Sequence, residues 1–216
     1  MSKSDVLKNE KEGLKYSPEQ LMTKYFNYNG GCFQKPMTNE EYYNLVIEKQ
    51  KSLNLYQRAL KKIGLDEEEL KDIPPIKIVG FVPPSKKNST IVGPNGYFTN
   101  KYETTWLMFS NKEIYVYNYI FDMLSQSVKE HIEEYFYKDI TNITTIDEDI
   151  EIKVPYFNKN CLGQTKKDFK KIVKQISSLK IIVPGDIFTC SIDPNENEEI
   201  ENKIKAVKAK LREVKG

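Results

Sequence analysis

The sequence predicts an α+β fold in which a helical N-terminal segment precedes an antiparallel β domain that ends in one long helix. Three observations carry this expectation. Capping boxes and a helical apolar period occupy the first 75 residues, the apolar period becomes two after Pro74-Pro75, and a helical period returns only near the C-terminus.

Residues 1–75 read as helices joined by loops. Ser17-Pro18-Glu19-Gln20 is a capping box with proline at the first helical position, and Thr38-Asn39-Glu40-Glu41 is a second. One long helix is expected from the second box, carrying Val46, Leu53, Tyr56, Leu60 and Ile63 and stopped by Gly64. The stretch NYNGGCFQKP before it is a loop, and the acidic turn DEEEL after it meets the double proline, which blocks further helix. Acids and bases balance here, 12 against 12, so the segment is a packing element more than an electrostatic one.

Seven strand-like runs follow: IKIVGFV, ETTWLMF, EIYVYNYIF, EHIEEYFY, TTIDEDIEIKV, LKIIV and DIFTCSI. Ser110-Asn111-Lys112 and Pro184-Gly185-Asp186 are the clearest turns, the second suited to type II. EIYVYNYIF alternates Ile114, Val116 and Ile120 with Tyr115, Tyr117, Tyr119 and Phe121. Both faces are largely apolar, so one belongs to the sheet core and the aromatic one needs a cover, for which the N-terminal helices are available. TTIDEDIEIKV instead points Ile146, Ile150, Ile152 and Val154 inward and Asp147, Asp149 and Glu151 to water. At the end, Asp193 and Pro194 open a helix whose Ile200, Ile204, Val207, Leu211 and Val214 form an apolar seam. The seam spans two heptads, which favours a helix laid on a sheet over a coiled coil, although a homodimer stays possible.

Several antiparallel strands followed by one amphipathic helix, with LMFSNKEIYVYNYIF leading into EEYFYKDITNITTIDEDIEIKV, resemble the bacterial members of the pleckstrin-homology-like (PH-like) family. The closest likeness is the link Tyr137, Asp139, Ile140 and Thr141, matching a Tyr-x-Asp-Ile-Thr stretch between strands. The resemblance covers roughly residues 76–216 and implies a PH-like β-barrel or sandwich with a C-terminal helix. It also implies a non-catalytic scaffold that binds lipid headgroups, peptides or its own copies. Residues 155–178 depart from the simpler members as an insertion.

That insertion holds the strongest charge signal. Seven lysines face one acid, Asp168, between Lys159 and Lys180. In TKKDFKKIVKQISS, Thr165 can cap and Phe169, Ile172, Val173 and Ile176 recur at i, i+3, i+4 and i+7, so an inserted basic amphipathic helix is expected at about 164–178. Lys166, Lys167, Lys170, Lys171 and Lys174 are the candidate binding residues. They suit anionic lipid or nucleic-acid phosphates, or they are simply solvated while the apolar stripe covers one end of the sheet. The loop 110–113 carries only Lys112, and EHIEE nearby is acidic, so a protein partner ranks ahead of a lipid headgroup. A nucleic-acid binder would add the Tyr115, Tyr117, Tyr119 and Phe121 ladder as a stacking platform, which requires that ladder to be exposed.

Other chemistries find little support. IVGPNGYFTN begins like a nucleotide phosphate loop, but Phe98 and Thr99 stand where the second glycine and the lysine should be, which leaves a Pro-Asn-Gly turn. Cys32, Cys161, Cys190 and His131 contain no paired half-site for zinc, and Asp147, Asp149 and Glu151 lack the glycine and the final acid of a calcium loop. His131 has no nucleophile signature beside it, and Asp139 suits a hydrogen bond within its own turn, so neither an enzyme nor a cofactor is expected. Lys and Arg number 33 against 31 acids, a net charge of +2 that steers the chain toward no polyanion globally. No apolar run suits a membrane span or a signal peptide, and three widely spaced cysteines fit reduced thiols, so a cytoplasmic protein is expected.

Overall fold

The capping box at Thr38 forms as its residues dictate. Its hydroxyl accepts from the Glu41 N–H at 3.1 Å and its own N–H donates to the Glu41 carboxylate at 2.8 Å, starting helix α1, Asn39–Ser52. The computed structural model describes residues 25–26, 37–70, 73–84, 90–93, 98–159, 165–193 and 197–215. The box at Ser17–Gln20, together with Cys32, Cys161, Pro94–Tyr97 and Pro194, lies outside them.

The single long helix expected up to Gly64 is two. Asn54 adopts a left-handed conformation, φ 45° and ψ 50°, and a new helix α2 starts at Leu55 and runs to Ile63, where Gly64 closes it at φ 79°. Asparagine tolerates this conformation better than other non-glycine residues, so Leu-Asn-Leu supplies a hinge that apolar spacing alone does not register. The acidic turn that follows is a short 3-10 helix, Glu67–Leu70.

The β domain contains two separate antiparallel sheets, not one closed barrel. Strands β1 (Ile76–Phe81), β2 (Lys101–Phe109), β3 (Glu113–Asp122) and β4 (Val128–Phe136) pair in sequence order, and so do β5 (Asn142–Lys159), β6 (Thr165–Val183) and β7 (Asp186–Ile192). The predicted turns at 110–112 and 184–186 connect β2 to β3 and β6 to β7, with Gly185 at φ 87°. The Tyr137–Thr141 link carries the chain from one sheet to the other. Tyr137 and Ile140 are buried in the core, the Tyr137 hydroxyl donates to the Ser110 carbonyl at 2.7 Å, and the Thr141 N–H donates to the Ile182 carbonyl at 2.7 Å.

The sheets share one core. Ile78, Leu107, Ile114 and Val116 of the first sheet meet Ile143, Leu179 and Ile181 of the second, and the seam Ile200, Ile204, Val207 and Leu211 of the C-terminal helix α3, Asn197–Lys215, joins the same cluster. The opposite face of the first sheet is covered by the N-terminal helices. Tyr117, Tyr119 and Phe121 are buried there with Tyr42, Val46, Leu55 and Ala59. Polar anchors fix this layer: the Tyr42 hydroxyl donates to the Thr99 carbonyl and the Lys49 ammonium to the Asp122 carbonyl, each at 2.8 Å.

The inserted basic helix at about 164–178 does not form. Residues 165–183 are one continuous strand, β6, paired from Lys159↔Thr165 to Asn142↔Ile182 with β5. The helical spacing of Phe169, Ile172, Val173 and Ile176 is real, but three of these are β-branched and the backbone finds its hydrogen bonds in the β5 ladder. β7 pairs only with Ser177–Val183, so from Ile176 outward β5 and β6 form a two-stranded ribbon. Fully extended, arms of this length span about 40 Å.

Candidate docking surface on the basic ribbon

Strand geometry distributes the five candidate lysines differently from a helix. Successive side chains alternate across β6, so Lys166, Lys170 and Lys174 point to one face and Lys167 and Lys171 to the other. Lys174 lies where the ribbon leaves the sheets. Its ammonium sits 5.1 Å from the centre of the Phe81 ring, and burial lowers its pKa, with Asp193 opposing the shift. The other four lysines are exposed.

The two faces of the ribbon are not equivalent. Ile152 and Val154 are buried against Val92, with Ile150 and Ile172 beside them. On the other face the β6 order is Lys167, Phe169, Lys171, Val173, with Phe169 56% and Val173 69% exposed. Their partners across the ladder are Pro155 for Phe169, Lys153 for Lys171 and Glu151 for Val173. Lys171 bridges diagonally to Glu151 at 2.7 Å, and the Lys167 ammonium lies 5.8 Å from the Phe169 ring centre. An open cleft of about 610 Å³ separates this part of the ribbon from the Thr90–Val92 segment, with Ile91, Pro155 and Phe169 among its apolar walls and Lys153 and Lys167 among its polar ones. That volume suits a few side chains of a bound segment.

The sequence reasoning selected the lysines and missed Phe169 and Val173 as exposed groups, because a helix would have buried them. A usable signal was present. The acidic run Asp147–Glu151 and the basic run Lys166–Lys174 flank a short segment containing Gly163, which is the charge pattern of two hairpin arms. The Lys171–Glu151 bridge joins the two runs, and Ser177 to Asp147 at 2.6 Å and Lys180 to Glu148 at 3.4 Å extend the contact of the arms toward the sheet.

His131, Glu103 and Cys190 lie elsewhere in the fold. His131 is hydrogen-bonded to Glu133 on the same exposed face of β4. Glu103 is buried between the sheets, accepting from the Ser191 N–H and, at 2.7 Å, from the Ser191 hydroxyl. Burial raises its pKa and that of the neighbouring Cys190 thiol, which favours the neutral forms and not a nucleophilic thiolate. Among the described residues no cluster of three or more His, Cys, Asp or Glu side chains is arranged to hold a metal ion, and no helix is long and apolar enough to cross a membrane. Among known proteins, no family model, curated sequence or solved structure matches the chain.

Proposed function

We propose that the chain is a non-catalytic binding module of PH-like architecture that holds an acidic protein segment on the exposed face of the β5–β6 ribbon. Four strands, then three, then a helix whose seam enters the shared core is the order that supports the architectural part. One observation carries the binding part: Lys167, Phe169, Lys171 and Val173 share an exposed face, and the two apolar side chains are more than half exposed. An aromatic anchor rimmed by charge is the usual anatomy of a protein interface.

Magnitudes favour protein over the other polyanions. With Lys171 engaged by Glu151, the face presents a net excess of about two positive charges, counting Lys153, Lys167, Lys171 and Glu151. At about 1 kcal/mol per lysine, that is too little to hold a protein on a membrane by itself. Nucleic acid loses its stacking platform, because Tyr117, Tyr119 and Phe121 are buried under α1 and α2.

The test is fluorescence anisotropy with a labelled peptide alternating glutamate and leucine, compared with phosphatidylserine vesicles and single-stranded DNA at two salt concentrations. The wild type is expected to bind the peptide and to release it as salt rises. K167E/K171E is expected to bind none, and Phe169→Ser to bind about tenfold more weakly, the loss of one interface anchor. Equal peptide binding by wild type and K167E/K171E, or tighter binding of vesicles or DNA than of peptide, sinks the proposal.

A further inference from the structure

A second recognition feature lies on the other side of the molecule, where α1 breaks into α2. A pocket of about 170 Å³ opens between this break and strands β1 and β2. Three buried polar atoms with no hydrogen-bond partner belong to residues that line it: Gln50 Nε2 of α1, Thr104 Oγ1 and Trp106 Nε1 of β2. Thr104 is wholly buried, at 0% exposure. Two of the three are obligate donors and the hydroxyl can donate, so residues around the pocket carry hydrogen-bond donors that no described residue engages.

Its electrostatics have the same sign. Lys51 and Lys77 line the pocket and, among the described residues, no acidic one does. The first residues of α2, Asn54, Leu55 and Tyr56, form another wall, so the positive end of a nine-residue helix borders the space. That helix start is uncapped by its own sequence: the Asn54 side chain makes no capping hydrogen bond and no acid occupies the first turn. The Tyr56 ring packs on Trp106 at 4.9 Å between centroids, steadying an indole that lines the pocket.

We infer that this pocket is a binding site for a phosphate-class oxyanion. Residues that carry donors line the space from α1, the start of α2, β1 and β2, an arrangement from several sides that suits a tetrahedral acceptor better than a flat carboxylate. The pocket is well below the roughly 300 Å³ at which drug-sized ligand sites begin, so a single phosphoryl group enters and a whole nucleotide does not. The phosphoryl group is either free phosphate or the terminal group of a monoester whose remainder stays in solvent. The site shares no residue with the ribbon and stands independently of the function proposed for it.

Trp106 is the single tryptophan of the chain, so its indole N–H signal in a nitrogen-15 correlation spectrum reports on this pocket alone. Titration of the full chain with inorganic phosphate at constant ionic strength is expected to move that signal saturably, while chloride and acetate leave it in place. Lys77→Glu, an exposed strand position, is expected to weaken the response at least about tenfold with the melting temperature of the phosphate-free protein unchanged. Thr104→Val tests the buried donor, and Lys77→Glu keeps the result interpretable if that variant fails to fold. O-phosphoserine binding more tightly than phosphate assigns the site to a monoester, and equal or weaker binding assigns it to free phosphate. An indole signal that phosphate does not move, that acetate moves equally, or that responds identically in Lys77→Glu overturns the inference.

Discussion

Two glutamates show how the same residue type is put to opposite uses. Glu130 of β4 accepts from Arg58 Nε and Nη2 at 2.8 and 2.9 Å, from Lys62 at 2.8 Å and from the Tyr117 hydroxyl at 2.7 Å, tying α2 to the sheet. The Arg58 hydrogen bonds, helped by those of Lys62 and Tyr117, hold its pKa at about 2 against the opposing effect of burial. The folded pKa is depressed, so this contribution is present above the ordinary carboxylate range and is lost as pH falls through that range toward about 2. Glu130→Gln is expected to lose about 1–3 kcal/mol at neutral pH and to flatten the acid limb, as read by urea denaturation across pH. Glu103 has the opposite sign. Its pKa is raised, chiefly by burial, so its contribution is full below the ordinary carboxylate range and declines as pH rises above it. Glu103→Gln keeps an acceptor for Ser191 and is expected to remove that decline, whereas Glu103→Ala leaves the Ser191 N–H and hydroxyl unpaired and is expected to cost about 2 kcal/mol or more at every pH. The sequence identifies both as glutamates on strands. The sign of each shift is a tertiary property: Arg58, distant in the chain, lowers that of Glu130, whereas burial raises that of Glu103 against the opposing Ser191 hydrogen bonds.

Among elements, those whose ends are marked by local chemistry were legible. The Thr38 box, Gly64, the 110–112 and 184–186 turns and the seam of α3 stand where their residues place them, because capping and turn hydrogen bonds span only a few positions. The ribbon was not legible, because residues 165–178 carry a helical apolar period and only the pairing with β5 overrides it. A lone two-stranded ribbon is marginal in water, so the cluster of Val92 with Ile152 and Val154 is what steadies its outer half. Val154→Ala is expected to cost about 1–3 kcal/mol, seen as faster amide exchange across 150–176 while β2 and β3 stay protected. No change in exchange there would mean that the ribbon is held by something else.

For the whole molecule, the joint between the sheets is decisive. β1 and β7 approach so closely that a methyl group on Gly80 would overlap the Ser191 carbonyl, and the Asp193 N–H donates to the Val79 carbonyl at 2.7 Å beside it. Gly80→Ala is expected to destabilise by about 3 kcal/mol or more, measured by denaturant unfolding, because the obstacle is backbone and cannot rotate away. Gly93 is similarly constrained, since a side chain there would strike the Tyr25 ring. This gives a packing reason for the glycine that begins the nucleotide-loop likeness, while the expected Pro-Asn-Gly turn itself lies outside the described residues. By itself the sequence determined the α+β class, the switch from helix to strand after Pro74-Pro75, most strand positions and the burial of the α3 seam, because period and caps are local properties. Tertiary contacts alone settle that the tyrosine ladder is covered, that the basic run is a strand exposing Phe169 and Val173, and that residues of four elements line one small pocket at Asn54. Each of these depends on which surfaces meet across long stretches of chain, and no local pattern encodes that pairing.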